Sequence, residues 1–143
     1  MKSKLFTYLP PFLFFFFILW LMLAADFDQP NVVMDIGHRV PFGDKIGHFF
    51  LFGILALLMN MALKFRRMNI LSRTFHVGSV FVLVFAIFEE FTQLAFDTRT
   101  FDFADMLFDL FGIGLLSSIS FRKFLVFKFH ALTRYLSRRL LID

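Results

Sequence analysis

From residue 5 to residue 25 the chain carries no charged side chain, and an FFFF run lies in the middle of that stretch. Length and polarity together leave few folds open to it. A membrane span needs about 20 mostly apolar residues. In lipid the backbone must satisfy its own hydrogen bonds, which a helix does. Residues 45–63, 77–96 and 103–121 meet the same length. Hydrophobic residues make up 59% of the chain, against about 45–50% in soluble domains, and mean hydropathy is +0.75. The 26 phenylalanines are too many for a soluble core built from 143 residues. The expected fold is all-α, a four-transmembrane-helix bundle in one domain, residues 1–121, followed by a tail, residues 122–143.

Charge sets the expected orientation. With the N-terminus inside, only Arg39, Lys45 and Arg99 of the 15 cations fall outside. The connecting segments are short, the regime in which Lys and Arg decide topology. The expectation is N-in and C-in. Every acid except Asp143 then falls on the outer side. This distribution accounts for the net charge of +4 as membrane topology rather than as a nucleic-acid footprint. A cleaved signal peptide is the competing reading of the first span. Its apolar run is too long, since such regions take about 7–15 residues, and LAADF is a poor cleavage site. Trp20 and Tyr8 suit the two interfaces. In the tail, Leu125, Phe129, Leu132, Leu136 and Leu140 share one helical face, with Lys123, His130, Arg134 and Arg138 opposite. A basic amphipathic helix of this kind rests on anionic lipid at the inner surface. The absence of cysteine excludes disulfides, thiol nucleophiles and cysteine-based metal sites.

The outer ends of three spans are costly for lipid. DKIGH places Asp44, Lys45 and His48 on the second, and Asp44 and His48 share a face. Glu90 and Gln93 share a face of the third. Asp102, Asp105 and Asp109 form one stripe on the fourth, and Gly112 continues it at a place where a helix can come close. At about 1.5 Å of rise per residue, Glu90 and Asp109 each lie roughly 10 Å deep. A short turn at 97–102 makes the third and fourth spans antiparallel neighbours, so their acids can meet. A carboxylate facing lipid costs at least about 2.5–3.5 kcal/mol at the span centre, so these groups are expected to converge with Arg99 on a shared pocket. Asp102 also reads as a helix N-cap answered by Asp105, a capping box. Glu89 and Asp97 read as rim charges, and His38, His76 and His130 lie away from the cluster.

In this order the residues resemble the VanZ-like family of small bacterial integral membrane proteins. The matching signatures are DKIGHF at 44–49, EFTQ at 90–93, Arg99 in the next turn, and DMLFDLFG at 105–112. The resemblance covers residues 5–121. The chain has Asp109 where the family commonly carries Asn, and it lacks Pro-Gly before the arginine. The family is named for a protein associated with low-level resistance to glycopeptide antibiotics such as teicoplanin. The resemblance implies a multi-pass protein of the bacterial cytoplasmic (inner) membrane, and the charge distribution puts its polar cluster on the periplasmic or extracellular side.

Two function classes follow from the residues. In the first, the cluster Asp44, Lys45, His48, Glu90, Gln93, Arg99, Asp105 and Asp109 locks the helices together. It also cradles an anionic or polyprenyl-linked lipid, or another cell-envelope precursor, through Lys45 and Arg99. In the second, the protein is an enzyme acting on a lipid-linked phosphate at the outer face. His48 is then the candidate catalytic group, Lys45 and Arg99 hold phosphate, and Glu90, Asp105 and Asp109 are candidate ligands for Mg²⁺, which favours carboxylate oxygens. A proton-coupled transporter would need polar paths on both sides, and the inner halves of the spans read as apolar.

Overall fold

The computed structural model describes residues 2–118. It is helical: α1 (Lys2–Asp26), α2 (Val32–Arg39), α3 (Gly43–Ala62), a hairpin of β1 (Arg67–Ile70) and β2 (Arg73–His76), α4 (Val77–Thr92) closed by a 3-10 turn (Gln93–Ala95), and α5 (Phe103–Leu116). Three helical stretches are long and apolar enough to cross a membrane: Thr7–Asp26, Gly43–Ala62 and Val77–Ala95. Their outward faces carry Phe12, Leu13, Phe81, Val84 and Phe88, all exposed. Large apolar side chains exposed in this number suit contact with lipid or protein better than contact with water. The last residues of the expected fourth span and the whole amphipathic tail lie outside the described residues.

α3 is the central helix and touches every other helix that frames the site. A small core of Ile18, Phe52, Leu55, Ala56, Val82, Ala86 and Ile113 joins it to α1, α4 and α5. The α3–α5 approach is set by glycines. A Cβ on Gly112 would collide with the Phe49 carbonyl, and one on Gly53 would lie 2.9 Å from the Gly112 backbone. With no side chains between them, the two backbones touch. The close approach expected of Gly112 is thus present.

Two connecting segments are more ordered than their polarity suggests. The polar segment between the first two spans contains α2, started by Asn31, whose side chain accepts the Val33 N–H at 2.9 Å. This is an ordinary Asn N-cap. The basic segment after α3 is a two-stranded antiparallel hairpin in which Ile70 pairs with Arg73. Its turn residues, Leu71 and Ser72, have φ of 47° and 64°, the left-handed values of a type I′ turn.

Candidate functional site

The N-terminal end of α3, the C-terminal end of α4 and the N-terminal end of α5 come together at one end of the bundle. Each brings its polar stripe to the junction because polar groups three or four apart share a helical face. Lys45 Nζ lies 2.6 Å from Asp102 Oδ2 and 3.1 Å from Asp105 Oδ1. His48 Nδ1 lies 3.1 Å from Asp109 Oδ1, and the ring stacks on Phe52 at 5.7 Å. Gln93 Nε2 donates to Glu89 Oε1 at 3.0 Å and to Glu90 Oε2 at 3.2 Å. Arg99 reaches Glu89 Oε1 at 3.5 Å. The turn that carries Arg99 is tied back to α1 by the Thr98 hydroxyl, which donates to the Asp26 carbonyl at 2.8 Å. His48, Glu90, Gln93, Asp105 and Asp109 are all buried, Glu90 completely. Side chains from α3, α4 and α5 therefore meet at this end of the bundle.

Several details differ from the sequence reading. Glu89 is not a rim charge. It is 2% exposed and holds both Gln93 and Arg99. The reason is that Gln93 follows Glu89 by four and Glu90 by three, so both acids adjoin it on the helix. Asp102 is both a cap and a partner. Its Oδ1 accepts the Ala104 N–H at 2.8 Å while its Oδ2 takes Lys45. The capping box with Asp105 does not form, because the Asp102 N–H donates to Glu90 Oε1 at 2.7 Å and Asp105 is engaged by Lys45. Asp44 is exposed at the rim. The Lys45 ammonium and the Ala104 N–H hold the Asp102 carboxyl below its ordinary range.

Two hollows open beside the cluster. An apolar cavity of about 140 Å³ lies between α1, α2 and α3, walled by Ile18, Leu21, Leu51 and Phe52, with His48 and Glu89 at its polar end. A polar hollow of about 490 Å³ lies against it, lined by Asn31, Asp28, Asp35, Gln93 and Thr98. Met34, Asp44 and Arg99 line both. Two groups of side chains are close enough to share a cation: His48 with Glu89 and Glu90, and His48 with Asp44 and Asp105. The set Glu90, Asp105 and Asp109 expected from the sequence is not one of them.

Sequence reasoning missed a second polar group at the opposite end of the bundle. Asn60 is fully buried in α3. Its Nδ2 donates to Ser79 Oγ at 2.8 Å and Ser117 Oγ at 3.1 Å, and its Oδ1 accepts the Ser79 N–H at 3.1 Å. α4 has no capping side chain of its own at His76, so α3 supplies the acceptor that its first turn lacks. The end of the bundle away from the cluster is therefore not purely apolar. A lone Asn inside an apolar run was the available signal. No family model, curated protein or solved structure matches this chain.

Proposed function

We propose that this is a VanZ-like binding module of the bacterial cytoplasmic membrane that seats a phosphate-bearing lipid in its outer leaflet. In this reading the chain forms four spans, N-in and C-in, with the polar cluster under the exoplasmic headgroups. The observation that carries it is the pair of hollows that share Arg99 in their walls. An amphipathic ligand needs this juxtaposition, a wet site for its head beside a dry one for its chain. The apolar cavity is about the size of one that takes benzene. It accommodates the methylenes nearest the headgroup, and the rest of the chain lies in the bilayer.

Charge narrows the headgroup. Lys45 is occupied by Asp102 and Asp105, so it is not free for the phosphate-binding role expected of it. Among the described residues Arg99 makes one ion pair with a carboxylate, at 3.5 Å, and a guanidinium has five donors. Arg99 is therefore the phosphate ligand in this reading. Asp28, Asp35 and Asp44 share the polar hollow, which favours a headgroup with an amine as well as a phosphate. Lipid mass spectrometry on protein extracted in native-like membrane particles tests this. A phosphate lipid enriched over the bulk membrane, and lost in Arg99→Gln, supports the reading. Lipid content equal to bulk in the unsubstituted chain ends it. Amine-bearing, purely anionic and polyprenyl phosphate lipids are separated by mass in the same experiment.

One observation favours the enzyme reading as a second. Asp109 fixes the His48 ring on the wall of the cavity, a geometry that suits a general acid or base. Phosphate release from a lipid-linked phosphate, abolished in His48→Gln, would support it.

A further inference from the structure

We propose that His48, Glu89 and Glu90 hold one divalent transition-metal ion at the polar end of the apolar cavity. One ligand atom from each of these residues lies within 4.8 Å of the others. A metal bound at about 2.0–2.2 Å from imidazole nitrogen and carboxylate oxygen needs only a small closure of that spacing. All three residues are buried, at 8%, 2% and 0% exposure. Glu89 Oε2 is buried with no hydrogen-bond partner, and a bare carboxylate oxygen in that position is costly unless something compensates it. The proposal does not depend on the lipid reading, since metal content and lipid content are measured separately.

The surrounding bonds are those that orient ligands. Asp109 engages His48 Nδ1 at 3.1 Å, which leaves Nε2 to coordinate, the carboxylate–histidine arrangement common behind metal ligands. Gln93 bridges Glu89 and Glu90 and fixes the spacing between them. The Asp102 N–H holds Glu90 Oε1. His48 and Glu89 line the cavity, so the remaining coordination positions open towards it. One imidazole with two carboxylates and no thiolate suits Zn²⁺ or Mn²⁺ better than an all-oxygen ion such as Mg²⁺. The overlapping group of Asp44, His48 and Asp105 is the weaker candidate. Asp44 is exposed, and the Lys45 ammonium lies 3.1 Å from Asp105, closer than the 3.5 Å at which Arg99 reaches Glu89 through the other carboxylate oxygen, Oε1.

The test uses the full chain in detergent, stripped with chelator and then dialysed against Mn²⁺ or Zn²⁺ alone. About one ion per chain is expected. Glu89→Gln should weaken binding at least tenfold, while Asp44→Asn leaves it unchanged. Gln93→Ala should weaken it roughly tenfold by releasing both carboxylates, the usual size of such an outer-sphere loss. Bound Mn²⁺ should show electron–nuclear coupling to an imidazole nitrogen, read on the unsubstituted protein, so the His48 assignment survives even if His48→Gln does not fold. Absence of stoichiometric binding overturns the proposal. So does binding that tracks Asp44 rather than Glu89, or bound Mn²⁺ without nitrogen coupling.

Discussion

Asp102 serves two helices with one carboxylate, capping α5 through Oδ1 and binding Lys45 of α3 through Oδ2. Asn is as good an N-cap as Asp, so Asp102→Asn keeps the cap and removes only the charge that faces Lys45. The folded-state value of Asp102 is depressed. Its contribution is therefore present above the unfolded value of about 3.9 and is lost as pH falls through the lower folded value. The expected result is a melting temperature for Asp102→Asn below that of the unsubstituted protein at pH 7, with the gap closing as pH falls below the ordinary carboxylate range. A gap that persists at low pH would mean the substitution harms something other than the ion pair. At the other end, Asn60→Leu strips Ser79 and Ser117 of their shared partner. The expected loss is about 1–2 kcal/mol, the scale of an interhelical hydrogen bond in a membrane, read as a lower denaturation midpoint in micelles. The stripes that carry Lys45, His48, Asp105 and Asp109 were legible in the sequence because each repeats at helical spacing; which acid meets which cation was not, because spacing along one helix does not fix partners on another. Glu89 was also legible, had Gln93 been read backwards to both positions it adjoins. The Asn60 partners were not legible, because a single polar residue in an apolar run gives no indication of which distant serines it meets.

α3 and α5 meet backbone to backbone, and this is a statement about elements rather than single contacts. A side chain at position 112 must push the two helices apart, which moves Lys45 from Asp105 and His48 from Asp109 together. Gly112→Val is expected to cost about 1–3 kcal/mol as overpacking. It should also abolish metal uptake at His48 while leaving the far-ultraviolet helical signal in place; unchanged stability would mean that the close approach does not set the packing. The hairpin β1–β2 is a locally strained element with little tertiary support. Leu71 and Ser72 both adopt left-handed φ without being glycine, at a cost of roughly 1–2 kcal/mol per residue. Leu71 is 93% exposed, so it recovers nothing by packing inside the chain. Replacing the pair by Asn-Gly, the preferred type I′ turn, should raise the melting temperature and leave ligand and metal binding untouched. The three membrane-length helices were legible from apolar length alone, whereas α5 covers only 14 of the described residues. α2 and the hairpin were not, because short elements in polar or basic segments depend on one cap or one turn that periodicity does not reveal.

At the scale of the whole molecule, the two ends of the bundle differ in how their charges are used. At the cluster end, Lys45 and Arg99 are paired with Asp102, Asp105 and Glu89. At the hairpin end, Lys64, Arg66, Arg67 and Arg73 make no ion pair among the described residues. Lys and Arg close to span ends, paired or not, are what the positive-inside rule counts, and they gather at the hairpin end, so that end is expected to face the cytosol and the cluster end the exterior. The lipid reading depends on this direction, because a site for an outer-leaflet headgroup must open outward. The chain has no cysteine, so one introduced thiol reports one position without background. Thr100 sits exposed in the turn beside Arg99, and Ser72 sits exposed at the hairpin tip. In intact spheroplasts a membrane-impermeant maleimide should label Thr100→Cys, and Ser72→Cys should react only after lysis. Both variants leave the cluster's own side chains in place, so a failure to label cannot be blamed on a damaged site. The reverse pattern would put the hollows in the cytosol and rule out an outer-leaflet ligand. It would leave the metal centre standing, since that depends on three side chains and not on the side of the membrane they face.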